Sequence, residues 1–266
     1  MTSFRFATVR LSTGPLIHYA EHGDADAEPA VFLHGWPDSW FSFSRVVPLL
    51  GRRLHAFVVD QRGFGDSERP DSSYRIEQFA ADAVAFLDAL SIDRATIVGH
   101  SFGSFVTRQV AITHPDRVAR MVLIGTAVSA ATPVVREVQA ALLNLHDPVP
   151  VEFARDFQTS TVYAPLPKPF FERIIAESLK LPARLWREVL EGVLAYDDAG
   201  QLARIITPTL LMWGERDALF PRGDQDRLVA TIRGAMLQIY PETGHCPNWE
   251  CPERVAADLQ SFLRRT

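Results

Sequence analysis

Ala95-Thr96-Ile97-Val98-Gly99-His100-Ser101-Phe102-Gly103-Ser104-Phe105-Val106 sets a serine between two glycines, where a short apolar run gives way to a helical pattern. The run Ala95 to Val98 is too short for a helix and has the β-branched character of a strand covered on both faces. Phe105, Val106 and Val110 continue at helical spacing. A serine on so tight a strand-to-helix turn is held exposed, and the flanking glycines let strand and helix approach closely. The start of the helix also offers unpaired N–H groups to a developing anion.

Similar runs recur on both sides of this turn: Ala30 to Leu33, Ala56 to Val59, Val118 to Ile124, Thr209 to Trp213 and Ala235 to Tyr240. The N-terminal stretch Met1 to Leu11 alternates apolar and polar residues and reads as an edge strand. Between the runs lie helical stripes. Ile76, Phe79, Ala80, Ala83, Val84, Leu87 and Leu90 form one, and Val255, Leu259, Phe262 and Leu263, after Pro252, form another. Strand alternating with helix predicts an α/β fold with a mostly parallel sheet covered on both sides.

One interval breaks the alternation. Residues 127–203 contain no convincing strand but four helical patterns, near Pro133 to Leu145, Val151 to Thr159, Phe170 to Leu179 and Ala183 to Ala195, punctuated by prolines. The expected organisation is a core of residues 1–126 and 204–266 with a helical insertion at 127–203. The insertion carries Phe153, Phe157, Tyr163, Phe170, Phe171, Trp186 and Tyr196, which either line a pocket or pack its helices together. Phe153, Phe157, Tyr163 and Trp186 are the pocket candidates.

Composition removes whole classes of function. With 27 Lys+Arg against 32 Asp+Glu, the net charge of -5 and the lack of a basic run argue against nucleic acid as a partner. Cys246 and Cys251 are too few for a disulfide framework and lack zinc-site spacing, so a reducing compartment and no metal are expected. No stretch approaches a membrane span, and the N-terminus lacks the apolar core of a signal peptide, so a cytoplasmic protein is expected.

A serine hydroxyl needs a base. Of eight histidines, His245 follows the last apolar run and precedes the final helix, at the sheet edge where Ser101 sits. His100, though adjacent to Ser101, is read as pointing elsewhere on the sharp turn. The base needs an orienting carboxylate, and Asp217 in Gly214-Glu215-Arg216-Asp217 ends a strand on the same edge, whereas Glu215 reads as facing solvent. The other place for such an acid, Gly125 to Thr132, contains none. In His34-Gly35-Trp36-Pro37-Asp38-Ser39 the Trp36 N–H joins that of Phe102 as a pair of donors for a tetrahedral oxyanion, a role closed to Pro37. His34 is read chiefly as a structural hydrogen-bonding residue and secondarily as a pocket residue.

These residues resemble the α/β-hydrolase family. The likeness rests on His34-Gly35-Trp36-Pro37, Asp60-Gln61-Arg62-Gly63-Phe64-Gly65-Asp66-Ser67, the G-H-S-F-G around Ser101, W-G-E-R-D ending at Asp217, and Gly244-His245. It implies that Asp60 to Ser67 is structural and that the insertion is a helical cap over the active site. The H-G-W-P turn is similar to that of epoxide hydrolases and haloalkane dehalogenases, but those place an aspartate where this chain has Ser101. The resemblance, with a serine at that position, therefore implies acyl transfer by a serine hydrolase acting on a carboxylic ester or lactone with no cofactor, and the aromatics of the insertion together with the absence of a basic cluster favour a small apolar or uncharged acyl substrate. The alternatives within the fold are a cofactor-free haloperoxidase or perhydrolase and a C–C bond (β-diketone) hydrolase, whose G-N-S-x-G-G elbow differs at His100 and Ser104. A non-enzymatic alternative is a ligand-sensing receptor that signals through its cap. The sequence is silent on the oligomeric state.

Overall fold

Runs of Val, Ile, Leu and Phe with no polar face are stable only between two layers, and that requirement organises the chain. The computed structural model describes residues 4–264. Its strands are β1 (Arg5–Arg10), β2 (Leu16–His22), β3 (Glu28–Leu33), β4 (Leu54–Val59), β5 (Ala95–His100), β6 (Val118–Ile124), β7 (Thr209–Gly214) and β8 (Met236–Tyr240). They form one sheet in the order β1-β2-β4-β3-β5-β6-β7-β8. Only the pairs β1·β2 and β2·β4 are antiparallel. Of the N-terminal stretch read as an edge strand, Met1 to Ser3 lies outside the described residues, and the remainder supplies β1.

The helices are α1 (Ile76–Ala89), α2 (Phe102–Thr113), α3 (Pro133–Leu142), α4 (Val151–Ser160), α5 (Lys168–Ser178), α6 (Ala183–Leu194), α7 (Arg222–Thr231), α8 (Pro247–Glu250) and α9 (Pro252–Leu263). Alternate residues of each central strand enter opposite layers. Val31 and Leu33 of β3 pack with Phe79, Phe86 and Phe105 from α1 and α2. Ala30 and Phe32 pack with Val255, Leu259 and Phe262 from α9. None of the described helices is long and apolar enough to cross a membrane.

β2 escapes the periodicity reading because its alternation includes His18 and Glu21, which a half-covered antiparallel strand tolerates. The α1 stripe is broader than its apolar residues predict. Asp82 also faces inward, where the Arg62 guanidinium donates to both of its oxygens, while Val84 is only partly buried.

The register places the strand ends that lead to Ser101, Asp217 and His245 side by side. Leu33 pairs with Gly99, His100 with Ile124, Ile124 with Met212, and Gly214 with Tyr240, so the loops after β3, β5, β6, β7 and β8 open along one edge. α3 to α6 lie in the chain between β6 and β7. Their far end is tied to the core by a fully buried ion pair, in which Arg108 Nε of α2 is 2.9 Å from Asp198 Oδ2. The same guanidinium donates to the Ala127 carbonyl and lies over the Phe105 ring.

Removing one partner of a buried pair leaves an uncompensated charge, typically costing about 3 to 5 kcal/mol. Asp198→Ala is expected to lower the unfolding free energy by that amount in urea titration. The double variant Arg108→Met/Asp198→Leu should recover most of the loss.

Candidate active site

The turn after β5 is strained. Ser101 stands between the last residue of β5 and the first of α2 with φ 49° and ψ −118°, a conformation L-residues seldom adopt. Surrounding contacts over-determine it. The Ser101 N–H donates to the Ile124 carbonyl at 2.8 Å, and the Ser101 carbonyl accepts from Ser104 N at 2.8 Å and Ser104 Oγ at 2.6 Å. A side chain on Gly99 would run into the Gly103 carbonyl, and one on Gly103 into the Leu33 carbonyl. The flanking glycines are thus required by strand–helix and helix–strand contact.

His245 and Asp217 meet across two loops. His245 Nδ1 lies 2.8 Å from Asp217 Oδ2, with both side chains almost fully buried. The other oxygen, Asp217 Oδ1, accepts the N–H groups of Leu219 at 2.8 Å and Phe220 at 3.0 Å, which fixes the carboxylate. Gly125, at φ 54°, lets the histidine loop approach, because a Cβ there would stand 2.6 Å from the His245 carbonyl and 3.1 Å from its ring. With Nδ1 engaged, Nε2 is buried without a hydrogen-bond partner among the described residues. Ser101 and His245 line the same cavity, together with Trp36 and Phe102. The structure shows no hydrogen bond between the Ser101 hydroxyl and the imidazole; such bonds are often long before substrate arrives.

Of the pocket candidates, Phe157 reaches the cavity wall. The others do not. Trp186 is fully buried, donates its indole N–H to the Leu181 carbonyl, and packs edge-on against Trp36 and Phe157. Phe153 packs behind it at 5.6 Å. Tyr163 is 52% exposed, beneath the Arg216 guanidinium, because its backbone N–H is drawn to Glu250. His34 is also absent from the cavity. Its Nδ1 donates to the Gly35 carbonyl at 2.7 Å and its Nε2 accepts the Gln61 N–H at 3.2 Å, and burial lowers its pKa, so both nitrogens are engaged in the turn. Glu215 is exposed.

His100 requires correction in the opposite sense. It lines the cavity, with its ring 5.4 Å from that of His245 and its Nε2 3.3 Å from the His245 carbonyl. The positive φ at Ser101 turns the serine out of the strand while His100 remains part of β5. Sequence reasoning also missed Asp38 and Gln158. Asp38 directly follows His34-Gly35-Trp36-Pro37, so a signal was there. Gln158 sits on α4 with no pattern to mark it, yet donates to Asp38 Oδ1 at 3.0 Å and to Ser178 Oγ at 2.8 Å. Cys246 is buried against Thr161, and burial pushes its thiol well above its ordinary pKa, as suits a small core residue.

His18, Asp60 and Asp66 bring ligating atoms within 4.8 Å of one another. Structural bonds occupy them. Asp60 accepts from Trp40 N, Asp66 N and His18 Nδ1, and Asp66 pairs with Lys180 at 2.8 Å.

Burial sets the electrostatics of the cavity. Asp38 is pushed up to about 7 by burial, opposed by hydrogen bonds from Gln158 and Ser42 and by His245. Burial, reinforced by His245, holds His100 well below its ordinary value and therefore neutral. An acid whose pKa is raised on folding binds its proton more firmly in the folded state, so its contribution to stability is lost as pH rises from about 4 through 7. Asp38→Asn, which cannot ionise, should therefore gain stability over the parent by about 3 kcal/mol more at pH 8 than at pH 5. Denaturant titrations at the two pH values measure this, and parallel pH profiles would contradict it.

The profile of the alpha/beta hydrolase fold matches residues 29–252. The chain is 28% identical over 259 residues to a 2-hydroxymuconate semialdehyde hydrolase of Pseudomonas sp. (strain CF600), covering 91% of this chain and 89% of that protein. It is 31% identical to a non-heme haloperoxidase of Rhodococcus erythropolis, with 96% and 98% covered. Among solved structures, a hydrolase from Pseudomonas aeruginosa PA01 superposes with a TM-score of 0.87 at 27% identity, covering 97% of this chain and 98% of that one. Sheet order, strained serine turn and profile agree, and the chain belongs to the alpha/beta hydrolase fold family.

Proposed function

We propose that this hydrolase cleaves a carboxylic ester or lactone through an acyl-enzyme on Ser101. The observation that carries the reading is the His245 imidazole, bound through Nδ1 to Asp217, with a buried Nε2 that has no hydrogen-bond partner among the described residues, in a ring that lines the same cavity as Ser101. In this mechanism Nε2 takes the Ser101 proton as the hydroxyl attacks the carbonyl carbon. Asp217 holds the ring in the tautomer that leaves Nε2 free and stabilises the imidazolium that forms. The Trp36 and Phe102 N–H groups receive the oxyanion, each donor typically lowering the barrier by about 3 to 4 kcal/mol. The imidazolium then protonates the leaving alcohol. Water, deprotonated by His245, releases the acid.

The walls support an apolar, uncharged acyl group, since Val135, Val138, Leu190, Val193, Leu219 and Phe220 line the cavity. α4 and α6 contribute to this lining from the 127–203 segment, consistent with a cap over the site. The named relatives span C–C hydrolysis and haloperoxidation, so those chemistries are the alternatives to be tested.

Ser101→Ala should abolish turnover of p-nitrophenyl butanoate and labelling by a fluorophosphonate probe; retained turnover would refute the proposal. Asp217→Asn should retain Ser101 but lower kcat by about 10³ to 10⁴, read in the same assay. A panel of esters, lactones and β-diketones ranks the alternatives by kcat/KM, and binding without turnover across the panel would favour the sensing role.

A further inference from the structure

Two buried polar atoms face one another beside Ser101 without bonding. His100 Nδ1 lies 3.9 Å from Asp38 Oδ2, beyond hydrogen-bond range, with both side chains at least 97% buried. His100 Nδ1 has no hydrogen-bond partner among the described residues. Since His100 Nε2 faces the His245 carbonyl, an acceptor, the ring proton belongs on Nε2, and Nδ1 presents a lone pair. Asp38 Oδ1 is occupied by Gln158, whereas Oδ2 has, among the described residues, only the Ser42 hydroxyl at 3.4 Å. These atoms are close to the proposed nucleophile. A methyl group built on Gly35 would stand 2.9 Å from His100 Nδ1 and 3.2 Å from both Asp38 Oδ2 and Ser101 Cβ.

An unsatisfied buried acceptor is costly, and an apolar acyl group would leave it so. Two groups 3.9 Å apart can both bond to a single oxygen lying about 2.8 Å from each. We propose that Asp38 and His100 form a subsite for a hydroxyl group on the acyl part of the substrate, close to the carbonyl that Ser101 attacks. The hydroxyl donates to His100 Nδ1 and accepts the Asp38 acid proton. Burial keeps Asp38 protonated up to near neutral pH and His100 neutral, which supplies that donor and that acceptor. Gln158 holds the acid in place from α4, so the helical segment takes part in the selection. The proposal rests on the acyl-transfer reading above and narrows its substrate class to hydroxyacyl esters.

Binding tests the subsite without turnover. The Ser101→Ala protein, titrated by calorimetry with methyl 2- or 3-hydroxybutanoate and with methyl butanoate, should bind one hydroxy ester about tenfold more tightly than the deoxy ester. Adding His100→Phe or Asp38→Leu should remove that preference. Asp38→Asn should keep it, because an amide N–H replaces the acid O–H in a side chain of the same shape. In the active enzyme the kcat/KM ratio for the matching p-nitrophenyl esters should follow the same order. Equal binding of hydroxy and deoxy esters would overturn the proposal, showing that solvent alone satisfies the pair. A preference unchanged by both His100→Phe and Asp38→Leu would also overturn it, as would its loss in Asp38→Asn. Selective binding with no ester turnover by the active protein would uphold the subsite and refute the acyl-transfer reading instead.

Discussion

The bond between His245 Nδ1 and Asp217 Oδ2 sits where four stretches of the chain meet, around residues 125, 161–164, 217–220 and 244–250. Asp217 is fixed by the backbone that follows it, through the N–H groups of Leu219 and Phe220. The imidazole fits only because Gly125, at the end of β6, has no side chain to occupy its space. The histidine loop is anchored from the other side as well, since the His245 N–H donates to the Thr161 carbonyl at 2.8 Å and Glu250 accepts the N–H groups of Gly244, Tyr163 and Ala164. The helical segment after β6 is therefore bonded to the loop that carries His245. Movement of that segment would disturb the imidazole as well as the pocket wall.

Within this frame the cavity divides into unequal parts. One wall is apolar and suits an acyl chain, while the wall beside Gly35 carries an acid and a neutral imidazole. Burial keeps these two groups near neutrality, because a desolvated charge there would be costly. In this chain the strained serine turn and the histidine–carboxylate pair are held by backbone contacts, and one fold can host different chemistries according to the residues that line its site.

Much of this was legible in the residues alone. The parallel strands announced themselves because a sheet covered on both faces excludes polar residues, and the serine turn because only glycine tolerates the contacts at positions 99 and 103. The order Ser101, Asp217, His245 followed from reading which loops leave the same sheet edge. β2 was not legible, since a half-covered strand has a mixed pattern, and neither was the inward face of Asp82, whose partner Arg62 is 20 residues away.

The sequence by itself thus determined the architecture, the edge on which the functional loops gather and the residue types available there, because backbone sterics and apolar periodicity are local properties. Only the tertiary structure decided which side chains share the cavity. Phe157 enters it whereas Trp186 and Tyr163 do not, His100 faces it whereas His34 is held in its turn, and Asp38 meets Gln158 across 120 residues. Those outcomes depend on how helices pack and which buried polar atoms find partners, and contacts between distant segments leave no periodic trace in the chain.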